Sequence, residues 1–458
     1  MTATSQDQTR AVSFDAAGSA SAAPSDEAVP GVMEVEPAAR PLKIAILYSR
    51  MPLPMDRADQ MTVAHLVAFL SARGHKVDLW TLDNGEATSD RQRQWLEAHC
   101  HRFQAFPHSL LNRLGGTCLG LLKGLPLQCG WFANAAQREA VRAACEQESY
   151  DVVYTYLIRS AEIVRGFLPP QGPGPVTYLA MQVSQALNTR RIFERSSRWR
   201  DKLIYGLEYR LTRRYEARIW EDFSRAVLIG PQDVDEVKEV CRESGRRPID
   251  NFDFGPHGVD LRKFTPRGED EAEPATAVFS GSLRTNTNIE AITWFVNLVW
   301  PSVIRARPDA KLLIVGRSPT AGVRRLERQA GVEVIGEVPE MAPYLGRAAV
   351  CVNPVRACAG QQNKLLEYMA MAKAIVATSF ANEGIGGAAG RDLEIADDPE
   401  AFADLVLKLF EDQDRRKELG AAARAFVAAN WSWEALYLQL EASFCDTLDG
   451  RSPPQTGG

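Results

Sequence analysis

Short apolar runs alternate with helical segments along most of this chain. The run 43–48 is continuous and apolar, which is typical of a strand buried on both faces of a sheet. Similar runs recur at 77–82, 102–106, 152–156, 176–181, 226–229 and 249–254, and then at 277–280, 311–315, 332–336, 350–355, 375–378 and 393–396. The alternation predicts an α/β protein with two doubly wound parallel sheets in tandem, followed by helices over 400–447.

Composition divides the chain further. Residues 1–40 are rich in Ala, Ser, Asp and Glu, so we expect a disordered tail there, and a second tail at 449–458. The stretch 266–274 is acidic and bounded by prolines, which predicts a linker. It separates a predicted domain at 41–265 from another at 275–428.

The bulk numbers exclude several classes of protein. Among 458 residues, 45% are hydrophobic and 24% are charged, as in ordinary globular proteins. The net charge of −5 argues against a nucleic-acid partner. The eight cysteines form no zinc-type spacing, as expected of reduced thiols in a cytoplasmic protein. We find neither a secretory signal nor an apolar run of roughly 18 residues that could span a membrane.

The run 360–372 lies between two predicted buried strands and begins with a glycine. Lys364 and Glu367 are three residues apart, so they share one helix face. A cation at a helix start is unfavourable unless an anion neutralises it. Helix amides and a lysine suit a phosphate, whereas a carboxylate suits hydroxyl groups. The alternative is a surface ion pair.

A second predicted strand ends in a glycine-containing loop at 279–288. Gly281 and Ser282 allow the backbone to approach a ligand closely. Arg284 has the planar donors that clamp a phosphate. Asn288 is predicted to cap the next helix at its N-terminus. An ordinary strand-to-helix turn is the alternative.

Two further loops contain candidate residues. Glu383, Gly384 and Ile385 follow a strand, and we expect a flexible loop over a ligand rather than a dinucleotide-binding turn. His257 lies at the end of a strand, with a structural turn histidine as the alternative. His99 and His101 flank a cysteine, but neighbouring residues of a strand point to opposite faces, so no metal site is expected.

Residues 190–218 contain ten Lys or Arg and four Asp or Glu, interleaved with aromatic side chains. This pattern fits contact with an anionic membrane, which would place the protein peripherally on its inner face. A solvated helical excursion is the alternative.

Several of these motifs resemble a known family. Segments 279–288, 308–316 and 362–371, together with His257-Gly258-Val259-Asp260, resemble the second domain of GT-B fold glycosyltransferases of the retaining family 4. The Gln-Asn-Lys-x-x-Glu form at 362–367 is similar to that of sugar transferases associated with exosortase (PEP-CTERM) and exopolysaccharide systems.

The resemblance implies two Rossmann-like domains that face a central cleft. Residues 41–265 would bind the acceptor and 275–428 the nucleotide sugar, and a helix at 429–448 would return to the first domain. The implied activity is hexosyl transfer from a nucleotide diphosphate sugar to a glycan or lipid-linked acceptor, with retention, in cell-surface polysaccharide or glycoconjugate synthesis. A catalytically silent partner protein and a nucleotide-sugar epimerase are the alternatives.

The resemblance also implies roles for individual residues. Arg284 and Lys364 would neutralise the diphosphate, and Glu367 would bind the ribose. The remaining donor-binding positions would be Gly281, Ser282, Asn363, Glu383, Gly384, Ile385 and His257. No metal or other cofactor would be needed if two cations and a helix terminus supply the positive charge. Most family members have a further glutamate where this chain has Ala359.

Overall fold

The chain folds as two parallel sheets, each flanked by helices, which confirms the predicted fold class. This computed structural model describes residues 29–31, 33, 35–55, 57–83, 85, 88–195, 199–255, 257–268, 272–356 and 361–451.

The first sheet has seven parallel strands. They are β1 (Lys43–Leu47), β2 (Lys76–Asp83), β3 (Arg102–Pro107), β4 (Val152–Tyr156), β5 (Val176–Gln182), β6 (Arg225–Leu228) and β7 (Phe252–Phe254). Their order is β3-β2-β1-β4-β5-β6-β7, so the winding direction reverses between β1 and β4. Ligands of doubly wound sheets bind at such a switch point, beyond the carboxyl ends of the strands.

The second sheet repeats this arrangement with six parallel strands. They are β8 (Thr276–Ser280), β9 (Lys311–Val315), β10 (Val332–Gly336), β11 (Val350–Asn353), β12 (Ala374–Ala377) and β13 (Glu394–Ile395). Their order is β10-β9-β8-β11-β12-β13, and the reversal falls between β8 and β11. The loops after these two strands therefore form the ligand crevice of the second domain.

Helices cover both sheets. Those in the first part of the chain are α1 (Ala58–Ala72), α2 (Asp90–His99), α3 (Leu110–Leu122), α4 (Leu127–Trp131), α5 (Ala135–Gln147), α6 (Gln185–Arg195), α7 (Trp199–Ile219) and α8 (Pro231–Glu243). The others are α9 (Asn286–Trp294), α10 (Trp300–Ala306), α11 (Ala321–Arg324), α12 (Ala342–Gly346), α13 (Asn363–Ala370), α14 (Ser379–Glu383), α15 (Pro399–Glu411), α16 (Gln413–Asn430) and α17 (Trp433–Arg451).

The helical segment between β8 and β9 is interrupted. A π-helical turn at Phe295–Val299 separates α9 from α10. Pro301 lies in the first turn of α10, where its missing N–H costs no helical hydrogen bond. The apolar periodicity is the same on both sides of the turn, so the sequence pattern did not reveal the break.

Helix α17 packs against the first domain. The Trp433 ring stacks on His65 with 5.2 Å between centroids, and the Tyr437 hydroxyl donates to the Thr62 carbonyl at 2.8 Å. Arg73 makes two hydrogen bonds of 2.8 Å to the Glu441 carboxylate. Helix α17 therefore returns the described chain from the second domain to the first. No helix in the described part of the chain is long and apolar enough to span a lipid bilayer.

Two predicted boundaries need correction. Part of the predicted 1–40 tail packs on the first domain: Met33 and Ala38 are buried, and the Ala38 N–H donates to the Arg73 carbonyl at 2.8 Å. These apolar residues are dispersed among polar ones, so composition concealed them. The predicted 449–458 tail begins inside α17, which runs to Arg451. Residues 1–28 and 452–458 lie outside the described residues.

The predicted linker at 266–274 is tied to the second domain at its end. The Glu273 N–H donates to the Arg347 carbonyl at 2.9 Å, and the Glu273 carboxylate accepts from Arg347 Nε at 2.6 Å. Residues 269–271 of this segment lie outside the described part of the chain.

Candidate functional site

The second domain's crevice is held in shape by a buried tyrosine. Strand β8 ends at Ser280, and the Ser280 N–H and hydroxyl both donate to the Tyr368 hydroxyl, at 2.8 and 3.0 Å. Tyr368 lies on α13, which also contains Lys364 and Glu367. These bonds fix the second half of α13 against the end of β8. No sequence motif identified Tyr368 as part of this crevice.

Lys364 points from α13 towards the loop after β8. Its ammonium group lies 4.5 Å from the centroid of the Phe279 ring and donates a hydrogen bond to Asn288 Oδ1. Asn288 Nδ2 in turn donates to the Ser282 carbonyl at 3.0 Å. The structure thus brings Lys364 and the predicted Ser282 loop together through Asn288.

The prediction of Asn288 as a helix cap is wrong. Helix α9 begins at Asn286 with Thr285 as its N-cap. Asn288 therefore lies inside the first turn, and its side chain is directed at Lys364 and Ser282. Cap residues and first-turn residues have similar side-chain chemistry, so the sequence could not distinguish the two positions.

Asn288 and Lys364 pack so closely against residue 281 that this position must be a glycine. Its φ is +143°, and a Cβ atom placed there would lie 2.8 Å from Asn288 Nδ2 and 3.4 Å from Lys364 Nζ. Gly316 has a similar role, because a Cβ atom on it would lie 1.7 Å from the Gly281 carbonyl oxygen. Any side chain at either position would displace the crevice loop.

Arg284 and Asn363 are both exposed at this crevice. Arg284 follows Leu283, whose N–H donates to the Arg317 carbonyl at 3.0 Å and fixes the turn. Within the described chain, the Arg284 guanidinium makes no hydrogen bond or ion pair. It is therefore available to an incoming anion. Asn363 is the first residue of α13.

Glu367 is half-buried one turn after Lys364, and burial raises the pKa of its carboxyl group to about 7. The positive charges of Lys263 and Lys364 oppose that shift. Arg424 positions the segment that contains Lys263, because its guanidinium donates to the Phe264 and Leu261 carbonyls at 2.8 and 3.1 Å. Lys263 is remote in sequence, so no local motif identified it.

The loop after β12 approaches the start of α13. A Cβ atom on Gly384 would lie 3.9 Å from the Gln361 Cα atom, and Glu383 is exposed beside it. The Ile385 N–H donates to the Asn382 carbonyl at 2.9 Å, which fixes this end of the loop. The Ile385 side chain is buried in the core of the domain.

His257 joins the two domains at the crevice. Its backbone N–H donates to Gln361 Oε1 at 3.1 Å, and its carbonyl accepts from Gln361 Nε2 at 2.6 Å. Its ring Nδ1 lies 3.2 Å from the Thr62 hydroxyl of α1. Burial lowers the pKa of His257 to about 4, so its imidazole is neutral at pH 7. Residues 357–360, including Ala359, lie outside the described residues.

A cavity of about 840 Å³ lies far from these residues. It is lined by Pro170, Ser224, Arg225, Asp253 and Ser443, among others. These positions lie at the amino ends of β5 and β6 and beside α17. Ligands of doubly wound sheets bind at the opposite, carboxyl edge, so we place the functional site at the crevice.

Known proteins share this domain and fold. Residues 274–412 match the family model described as Glycosyl transferases group 1. An uncharacterized 44.6 kDa protein in the cps region of Klebsiella pneumoniae is 22% identical over 87% of this chain and 98% of its own length. A GDP-mannose-dependent monoacylated alpha-(1-6)-phosphatidylinositol monomannoside mannosyltransferase of Corynebacterium glutamicum is 32% identical over 40% of this chain and 54% of its own length.

Solved structures extend the likeness to nearly the whole chain. Sucrose-phosphate synthase from Thermosynechococcus elongatus is 16% identical with a TM-score of 0.55, covering 90% of this chain and all of that one. HepE from Anabaena, solved in complex with UDP, is 13% identical with a TM-score of 0.55, covering 88% of this chain and all of its own. At these identities the likeness establishes the GT-B fold. Together with the matched domain, it supports a GT-B glycosyltransferase.

If Lys364 binds the diphosphate of a nucleotide at this crevice, Asn288→Ala should weaken that binding about fivefold. The substitution removes one hydrogen bond to Lys364, worth about 1 kcal/mol, which helps to orient its ammonium group. Titration calorimetry measures the effect. Asn286→Ala, at the exposed first residue of the same helix, is the matched control and should bind like the wild type. Equal affinity of both variants would contradict the orienting role.

Proposed function

We propose that this protein transfers a hexose from a nucleotide diphosphate sugar, with retention of configuration, in cell-surface polysaccharide or glycoconjugate synthesis. One observation supports this most directly: Lys364 at the start of α13 and Arg284 on the facing loop bring two cations to the crevice where the strand order reverses. Glu367, one turn further, offers a carboxylate to the ribose hydroxyls.

The chemistry requires positive charge at the leaving group. The bond between the anomeric carbon and the diphosphate oxygen breaks, and the electron pair stays on the diphosphate. Lys364 and Arg284 would stabilise that charge in the transition state. With retention, the acceptor hydroxyl attacks from the side on which the diphosphate leaves. The departing phosphate oxygen is then the nearest base for the hydroxyl proton, and we expect no metal or other cofactor.

Two relatives support a nucleotide diphosphate ligand. The Corynebacterium enzyme is named for its use of GDP-mannose, and HepE was solved with UDP. The Klebsiella relative, from a cps region, covers nearly the whole chain and supports a role in polysaccharide synthesis. We propose that residues 275–428 bind the donor, with Gly281, Ser282, Asn363, Glu383, Gly384 and His257 around it, and that 41–265 bind a glycan or lipid-linked acceptor.

A panel of UDP-, GDP-, ADP- and dTDP-sugars tests the proposal. We expect one donor to raise the melting temperature and to release its nucleoside diphosphate slowly by hydrolysis. Binding without any turnover, even with acceptor-containing cell extracts, would favour a catalytically silent partner. Conversion of the donor to an isomeric nucleotide sugar would favour an epimerase. No thermal shift with any donor at millimolar concentration would refute the proposal.

We further propose that the first domain contacts an anionic membrane from the cytoplasmic side. On α7, Trp199 and Leu203 are 68% and 65% exposed, next to the exposed Arg200 and Lys202. Helix α3 exposes Leu111, which is 81% accessible. The two helices are linked through α4, because the Leu127 N–H donates to the Glu208 carboxylate at 2.6 Å. Exposed apolar groups beside lysine and arginine suit a negatively charged lipid surface.

Vesicle flotation tests this contact. We expect the wild type to float with vesicles that contain phosphatidylglycerol, and the double variant Leu111→Glu, Trp199→Glu to stay in the aqueous fraction. Two carboxylates on the contact surface would oppose both apolar insertion and the lipid charge. Leu438→Glu, an exposed leucine on α17, is the control and should float. Flotation of the double variant would contradict the proposed surface.

A further inference from the structure

Two adjoining cavities form a groove along the amino edge of the first sheet. The larger, between this edge and α17, has a volume of about 840 Å³, and the smaller has about 290 Å³. Pro170, Gln171 and Ser224 line both of them, so the cavities meet between the loop that precedes β5 and the start of β6. Together they offer a site for an extended ligand.

The wall of the larger cavity is built around an ion pair. Arg225 Nε donates to Asp253 Oδ2 at 2.6 Å, and Arg225 Nη2 donates to the Phe252 carbonyl at 2.9 Å. The Ser443 hydroxyl of α17 donates to Asp253 Oδ2 at 2.7 Å and lies 2.8 Å from the Tyr178 hydroxyl. These bonds hold α17 over the amino edge of the sheet. The wall is therefore ordered in advance, which lowers the entropy cost of binding a ligand there.

The described part of the groove has no surplus of positive charge. In the smaller cavity, Arg247 Nη1 donates to Asp250 Oδ2 at 3.0 Å. Glu221, which also lines that cavity, accepts from Arg246 Nη1 at 3.3 Å. In the larger cavity, Asp446 adds a carboxylate to the ion pair already there. An anionic ligand needs cations that are not already balanced, so the described lining residues do not suit a phosphate or a carboxylate.

Most of the larger cavity is polar, and its side chains suit sugar hydroxyl groups. Among the described residues that line it, only Pro170 and Ala442 have apolar side chains, too few for a lipid chain. Gln171 and Gln439 are exposed, and no hydrogen bond engages their amides in the described part of the chain. An amide offers donors and an acceptor, and the Asp446 carboxylate can accept from two neighbouring hydroxyls. A neutral saccharide matches this combination.

We propose that this groove binds a neutral segment of the glycan acceptor, several sugars long. The proposal rests on the proposed function for the word acceptor, but binding in the groove requires no sugar donor. Strand β5 is seven residues long, so the groove lies about 20 Å from the carboxyl edge of the sheet. A glycan held there would remain close to the crevice between successive transfers, at a raised effective concentration.

Calorimetry with neutral oligosaccharides tests the site in the full-length protein without a nucleotide. Maltoheptaose, isomaltoheptaose and mannoheptaose are the probes, each compared with its disaccharide. We expect at least one heptasaccharide to bind about tenfold more tightly than its disaccharide, because only the longer chain reaches both cavities. Gln171→Ala should weaken that binding about fivefold, since it removes a hydrogen-bonding side chain where the cavities meet.

Ala442→Trp blocks the larger cavity with an indole ring. Ala442 is exposed in its wall, so this variant should lose heptasaccharide binding by at least tenfold. Leu438→Trp is the matched control, because Leu438 is an exposed residue of α17, one turn earlier, outside the lining of the cavity. It should bind like the wild type. Melting temperatures without ligand show whether both variants are folded.

Two charged probes test the class of ligand. Tighter binding of a chitosan or an oligogalacturonate heptamer than of every neutral heptasaccharide would overturn the proposal. So would the absence of binding by all three neutral heptasaccharides, equal affinity for heptasaccharide and disaccharide, or wild-type affinity in folded Ala442→Trp. Nucleoside diphosphate binding should be the same in Ala442→Trp and the wild type, so failure of the groove leaves the proposed function standing. Heptasaccharide binding by a protein that binds no nucleotide sugar would support the groove and refute the proposed function.

Discussion

Lys364→Ala is expected to weaken nucleoside diphosphate binding roughly 100-fold, and to reduce sugar transfer at least as much, because the lysine lies at the head of α13 beside Gly281. A charge-assisted contact in a partly buried crevice contributes about 3 kcal/mol, and each 1.4 kcal/mol is tenfold in affinity. The loss should be greater in transfer than in binding, since negative charge on the diphosphate grows as the sugar departs.

Calorimetry with the nucleoside diphosphate selected from the donor panel measures this effect, and donor hydrolysis measures the catalytic part. Lys408→Ala is the matched control, because Lys408 is an exposed lysine of α15 in the same domain. Its affinity should equal that of the wild type. Melting temperatures without ligand show whether Lys364→Ala is folded. A folded variant with nearly wild-type affinity would remove Lys364 from the donor site.

The sequence predicts the two sheets well because strands buried on both faces are continuous apolar runs. Every one of the thirteen strands in the described chain overlaps a predicted strand, with ends displaced by a few residues. Strand β7 is the poorest match, because the predicted strand at 249–254 is formed only at Phe252–Phe254. Helix interruptions and packed termini were missed, because they depend on tertiary contacts such as that between Ala38 and Arg73.

The candidate site was predictable only where its residues share a local motif. Lys364 and Glu367 lie on one helix face, which their spacing already indicated. Tyr368 and Asn288 are in the right segments, but their roles come from contacts with Ser280 and Lys364 across the crevice. Lys263 lies in the segment between β7 and β8. The charge of Lys263 lowers the pKa of Glu367, but no sequence pattern relates the two residues.

Glu367 makes donor binding sensitive to pH near neutrality. Burial raises the pKa of its carboxyl group to about 7 in the free protein, so near pH 7 about half of the molecules have a neutral Glu367. Ribose hydroxyls donate to a carboxylate, and binding therefore favours the ionised form. Because the pKa is raised, the ionised fraction grows from roughly a tenth at pH 6 to roughly nine-tenths at pH 8. Affinity is proportional to that fraction, so it should rise about tenfold across this range.

Glu367→Gln should remove this rise, since the amide does not titrate, and should weaken binding about 30-fold at pH 8 by loss of charge-assisted hydrogen bonds. The ligand's own terminal phosphate titrates near pH 6, so the informative quantity is the difference between the wild-type and Glu367→Gln profiles. Inorganic pyrophosphate is the matched probe, because it has the phosphates without the ribose. Its profile should be the same in both proteins. Parallel profiles with the complete nucleotide would mean that Glu367 does not bind the ribose, whereas a difference confined to the nucleotide assigns that contact to its carboxylate.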